Sequence, residues 1–236
     1  MDQQELRTYL ETLTLSLTGQ DRRILSARLE SLVSVFPFNE YEYILSFLLD
    51  RRVISFAEYE ELRDNYVSDN RYLGLFGLAP RIFGQVWGET HLLDLDSRFV
   101  KPTRALDPDY DGQYDLILED VRVEIKAARA INTRVRGEIA SKALRYGSDA
   151  SFWMNFQQLK IDICDVFVFI GVWVDRLLYW VLSNKEVEEH PTRSRQHRGG
   201  IEYQIGITHR NIGQFSRFLV DANSLANTVL IKGRAV

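Results

Sequence analysis

Asp115, Glu124 and Lys126 are the residues of this chain whose types and spacing point to chemistry. They lie in YDGQYDLILEDVRVEIKAAR, residues 110–129, where eight residues separate Asp115 from Glu124 and only Ile125 separates Glu124 from Lys126. Residues 113–126 alternate apolar and polar side chains around Glu119-Asp120, the pattern of a β-hairpin. Side chains two apart on a strand share a face, so Glu124 and Lys126 project together, and a tight hairpin brings Asp115 beside Glu124. Two carboxylates and an ammonium then converge at one end of a sheet. Carboxylate oxygens are hard ligands that suit Mg²⁺. A metal held there polarises a phosphate and lowers the pKa of a bound water, and a neighbouring lysine can orient that water and stabilise developing negative charge. The set therefore fits metal-assisted hydrolysis of a phosphodiester. The competing reading is an ordinary solvated hairpin, since Glu-x-Lys is common on strands. Against it stand the apolar remainder of the hairpin (Leu116, Leu118, Val121, Val123, Ile125) and the small Ala127-Ala128 pair, where a substrate backbone can approach.

Several elements must position this hairpin. The first seventy residues read as helices. Leu6, Tyr9, Leu10, Leu13 and Leu17 recur at helical spacing, as do Leu25, Leu29, Leu32, Val33 and Phe36. Ser55 with Glu58 forms a capping box that predicts a helix start. Residues 80–93 predict another helix, with Pro80 near its first turn. Residues 151–160 read as a short helix, whose Trp153 and Phe156 are assigned to the core. Residues 165–173 form an apolar, β-rich run expected to be a central buried strand. Residues 177–182 and 203–208 are further strands, and 211–222 a closing helix. The expected class is α+β, with a mixed central sheet and a helical N-terminal region over 1–75, followed by a core over 76–236.

On Asp115, Glu124 and Lys126, and on the order of the elements around them, the segment resembles the PD-(D/E)xK nuclease superfamily in the form common among type II restriction endonucleases. The similarity covers residues 80–182, with Tyr114 standing where the family pattern has proline. It implies an α/β/α restriction-endonuclease-like core, and a Mg²⁺-dependent enzyme that cuts double-stranded DNA at a short specific site. Asp115 and Glu124 would be metal ligands and Lys126 the group that orients or activates the water. It also implies a functional pairing with a DNA methyltransferase in a prokaryotic cytoplasm. Two-fold protein symmetry mirrors a palindromic site, so a homodimer is expected. A repair, recombination or structure-specific nuclease of the same superfamily and a non-catalytic DNA-binding module are the alternatives. Glu89 shares a predicted helical stripe with Ile82, Val86 and Leu93. A carboxylate on an apolar stripe is costly unless paired or near a metal, and the resemblance implies that a glutamate on this helix assists catalysis. Gln157 and Gln158 are implied backbone contacts in the same way.

A rival motif overlaps the hairpin. Asp107, Asp109, Asp111 and Gly112 match positions of an EF-hand calcium loop, but Leu118 stands where a bidentate glutamate is required. An exposed acidic turn is the expectation.

The chain has 236 residues, of which 45% are apolar, enough for a hydrophobic core. The single cysteine, Cys164, excludes an intramolecular disulfide and an all-cysteine zinc site. The first residues lack a signal-peptide pattern. The longest apolar run, residues 166–174, is far short of the roughly 20 residues that cross a bilayer, so no membrane association is expected. The net charge of −4 hides a partition. Residues 1–70 carry seven basic and thirteen acidic side chains, residues 122–145 seven basic against two acidic, and residues 192–217 five against one. Such basic clusters meet phosphates. Arg129, Arg134 and Arg136 follow the proposed catalytic strand. Residues 192–200 (TRSRQHRGG) look like an exposed loop in which Arg193, Arg195, Gln196, His197 and Arg198 offer the donors and acceptors that base edges require.

Overall fold

The first seventy residues of the computed structural model are largely helical: α1 (Gln3–Thr14), α2 (Gly19–Ser31), α3 (Pro37–Asp50) and α4 (Phe56–Asp69); Leu32, Val33 and Phe36 of the second expected stripe lie outside the described residues. The structure describes residues 3–31, 37–195 and 202–235. At the start of α4 the Ser55 hydroxyl accepts from the Glu58 amide at 3.2 Å, and the Glu58 carboxylate accepts from the Ser55 amide at 2.7 Å, the capping box legible in the sequence. A π-helical turn over Ile82–Trp87 then runs straight into α5 (Gly88–Leu95). A Cβ added to Gly88 would stand 3.5 Å from Ile125 and 3.7 Å from Ala127, so this helix sits close against the strand that carries Glu124 and Lys126.

β1 (Phe99–Val100), β2 (Leu116–Leu118) and β3 (Val121–Arg129) form an antiparallel meander. The two-residue turn between β2 and β3 places Glu119 at φ 55°. From β3 the chain passes through β4 (Ile131–Asn132) and β5 (Phe152–Leu159) to β6 (Val166–Val172), which pairs with β3 in parallel over seven residue pairs. β7 (Leu177–Ser183) returns antiparallel to β6 and leads into α6 (Asn184–Glu188), β8 (Arg193–Arg195) and β9 (Tyr203–Thr208). A 3₁₀ segment over Ile212–Phe218, β10 (Leu219–Val220) and α7 (Leu225–Gly233) complete the described chain. The class is α+β. One sheet is mixed, with strand order β1-β2-β3-β6-β7-β10, and a second has the order β4-β5-β9-β8.

β6 is buried at every position, as its unbroken apolar run requires. One of its faces joins Val123 and Ile125 of β3 to the helices, in a core that includes Leu10, Leu25, Leu45, Leu62, Leu92 and Val229. The other face presents Phe167 and Phe169 to Met154 and Phe156 of the second sheet, together with Val187 of α6 and Phe215 and Phe218 of the 3₁₀ segment. Gly171 sits where these layers press hardest. A Cβ there would meet the Trp180 ring at 2.6 and 2.8 Å and the Met154 sulfur at 3.1 Å. Gly171→Ala is therefore expected to destabilise the fold by about 1–3 kcal/mol, read as a lower urea midpoint.

Three expectations about elements are corrected. Residues 151–160 form strand β5 rather than a helix, because Phe152, Met154 and Phe156 alternate inward. A bulge at Gln158, at φ 57°, then returns Leu159 to the same side. The segment 211–222 is 3₁₀ helix followed by a short strand, and the closing helix is α7. Residues 193–195, expected in a loop, pair with β9 as an edge strand. Among the described residues no helix is long and apolar enough to cross a membrane.

Candidate active site

The register of the hairpin brings the carboxylates together. Leu116 faces Val123 across β2 and β3, so Asp115 faces Glu124 one step further along. The Asp115 amide donates to the Val123 carbonyl at 3.1 Å, and its carboxylate accepts from the Ile125 amide at 2.8 Å, locking it at the end of the ladder. Lys126 Nζ lies 2.6 Å from Glu124 Oε1. Glu124 is only 6% exposed. Burial pushes its pKa up to about 7; Lys126 pulls it down, and the Asp115 carboxylate within hydrogen-bonding reach pushes it up again. Two adjacent carboxylates, one of them paired with an ammonium, thus meet in a partly desolvated place.

These side chains line a cleft of about 780 Å³. The helical segment contributes Pro80, Arg81, Gly84 and Gln85 to one wall; β5 contributes Asn155, Gln157 and Gln158, followed by Lys160, to another. Gly112 and Gln113 close the side next to Asp115. Arg81 Nε donates to Gln85 Oε1 at 3.1 Å, so these two residues stand as a unit.

The donor set fits a hard divalent cation. Asp115 and Glu124 offer carboxylate oxygens that carry more negative charge than Lys126 offsets. The described residues hold no group of three His, Cys, Asp or Glu that would form a protein-only cage. Mg²⁺ needs no such cage, because it keeps waters and takes substrate phosphate oxygens.

The other predicted site residues divide sharply. Gln157 lies in the cleft, exposed, although on a strand. Glu89 is not among the cleft-lining residues and forms an ion pair with Lys101. Ile82 and Val86 of its expected apolar stripe are 49% and 59% exposed. The π-helical turn winds with i→i+5 bonds rather than i→i+4, which rotates that face away; Gln85, one turn earlier, reaches the cleft instead. Arg129, expected as an exposed phosphate contact, is 7% exposed; its guanidinium lies 4.0 Å over the Phe83 ring and donates to the Leu78 carbonyl at 2.7 Å. Arg134 and Arg136 are exposed on the crossover that follows β4. Arg193 stacks 4.3 Å over Tyr203 and lines a depression that shares Lys160, Ile163 and Glu202 with the main cleft. Arg195 is exposed on β8, while Gln196, His197 and Arg198 lie outside the described residues.

Tyr114, the departure from the family pattern, has a structural role. Its ring is buried in the second core, and its hydroxyl donates to Asp107 at 2.6 Å. Asp111 pairs with Arg104 at 3.1 Å. The aspartates of the calcium-like motif thus form a braced acidic turn leading into a strand. Arg81, Gln85, Asn155 and Lys160 escaped the sequence reading, and only the burial alternation of β5 carried a signal for any of them. The chain matches no protein-family model and no curated protein.

Proposed function

We propose that the chain is a Mg²⁺-dependent endonuclease of the restriction type. In this reading it hydrolyses phosphodiester bonds of double-stranded DNA at a short specific site as a homodimer, paired in its cell with a DNA methyltransferase. The observation that carries this is the apposition of Asp115, Glu124 and Lys126 at the floor of an open polar cleft. Asp115 and Glu124 would hold the ion. When bound, Mg²⁺ supplies polarisation of a phosphate oxygen and a bound water of lowered pKa. Lys126, paired with Glu124, would orient the attacking water by hydrogen bonding and offset the negative charge that builds on the phosphate oxygens. Arg134 and Arg136, exposed beyond β3, supply phosphate contacts, and Gln157 contacts the strand lying in the cleft.

The test is plasmid DNA with purified protein in Mg²⁺ and in EDTA. Discrete fragments in Mg²⁺ alone sustain the reading. A smear would place the chain among repair or structure-specific nucleases, and no cleavage in any divalent metal would sink it. Glu89 sits outside the cleft, so Glu89→Gln is expected to leave the cleavage rate within about twofold, the effect of a substitution worth under ~0.5 kcal/mol.

A further inference from the structure

We infer that a depression beside the main cleft is a pocket for a nucleotide whose base is displaced from the stack. The depression has a volume of about 290 Å³ and shares Pro80, Gly84, Ala127, Asn155 and Gln157 with the main cleft. Gly84 leaves the passage open, since a Cβ there would find no atom within 4 Å. Trp153, Asn155 and Gln157 alternate with the buried Met154 and Phe156 and therefore share the outward face of β5. Trp153 is 40% exposed, whereas Trp173 and Trp180 are at 1%. Every base has a face that stacks on such a ring, and Gln157, with the oxygen of Asn155 whose Nδ2 donates to Gln204 Oε1 at 3.1 Å, offers donors and acceptors to a base edge.

The opposite wall supplies a cation. Arg129 is more than nine-tenths buried, yet its Nε has no hydrogen-bond partner, and no carboxylate pairs with it among the described residues. Without a counter-ion, the guanidinium lends this wall a positive charge that favours a phosphate nearby. Ring, amides and guanidinium together match one nucleotide next to the phosphate in the main cleft. The inference rests on the nuclease reading for the identity of the substrate, but it is read by binding alone.

The experiment is a fluorescence-anisotropy titration of end-labelled oligonucleotides with the full chain in EDTA. It compares a single-stranded hexanucleotide with an abasic hexamer of equal charge. The hexanucleotide is expected to bind at least about fivefold tighter, as stacking of a base requires. Trp153→Ala should remove that difference and leave the abasic affinity unchanged. Gly84→Val, which narrows the passage without touching Trp153, should do the same. Absent binding, equal affinities, or a loss in Trp153→Ala that falls on both hexamers alike overturns the pocket. A duplex carrying 2-aminopurine separates the sources of the base. Brightening shows extrusion from a duplex, and a dark duplex beside a tight hexanucleotide shows an unpaired strand; either supports the pocket. Base preference without cleavage in Mg²⁺ would retain the pocket and remove the nuclease, and cleavage without base preference would do the reverse.

Discussion

Asp115→Asn and Lys126→Ala are each expected to slow Mg²⁺-dependent DNA cleavage by about 10²–10⁴-fold, measured as single-turnover rates on plasmid DNA. Each removes a group from the carboxylate–ammonium cluster itself. Asp115 is half-buried and anchored by the Ile125 amide at 2.8 Å, and asparagine keeps a carbonyl to accept that bond while losing the charge. Lys126 is the cation in contact with Glu124, at 2.6 Å. Its loss also leaves two carboxylates facing each other, and this gives the variant a second signature. Without the lysine the Glu124 pKa rises further above its unfolded value, so Lys126→Ala should lose more thermal stability at pH 8 than at pH 5. A Lys126→Ala protein that cuts as fast as wild type would remove the proposed role.

Glu124→Gln is expected to abolish cleavage and yet stabilise the metal-free fold. The folded pKa of Glu124, about 7, lies above its ordinary value of 4.5. The folded state therefore binds this proton more tightly than the unfolded state. The resulting stability is fully present below pH 4.5 and is lost as the pH rises through 7. At pH 8 the wild type keeps a buried charge that glutamine, a mimic of the protonated acid, does not carry. In EDTA at pH 8 the variant should gain about 1–3 kcal/mol in a urea titration, and the gain should shrink toward pH 5. Adding Mg²⁺ should erase most or all of that gain. A ligand that binds only the folded state adds roughly 2.7 kcal/mol at a hundredfold excess over Kd, and the variant lacks one of the two carboxylates that would bind it. A Glu124→Gln protein less stable than wild type in EDTA at pH 8 would contradict this account of the carboxylate pair.

The hairpin was legible because its logic is local. Period-two alternation on both sides of Glu119-Asp120 sets the register, and the register alone puts Asp115 opposite Glu124. β6 was legible because a strand buried on both faces reads as an unbroken apolar run. β5 was not, because Phe156 and Leu159 are three apart, a helical spacing, and only the left-handed Gln158 reveals the bulge that produces it. Glu89 was not legible because a stripe drawn at 3.6 residues per turn runs through a stretch that winds as a π-helix. The fate of Arg129 depends on Phe83 and Leu78, which precede it by more than forty residues; no local pattern announces such burial. Trp153 faces outward for a related reason: the alternation that buries Met154 and Phe156 turns it away from the core.

The parallel pairing of β3 with β6 has a consequence for how the chain can change. A parallel pair needs a long crossover, and here residues 130–165 carry β4 and β5 while they make it. Asp115, Glu124 and Lys126 belong to the hairpin before the crossover, and the outward face of β5 belongs to the crossover itself. Substitutions at Trp153, Asn155 and Gln157 leave the packing of Met154 and Phe156 untouched, so they are cheap for stability. The two halves of the cleft can thus drift at different rates. The hairpin with Asp115, Glu124 and Lys126 is held by burial and register, while the neighbouring wall is free to change; in the proposed nuclease, that is the wall a new sequence of bases would rewrite.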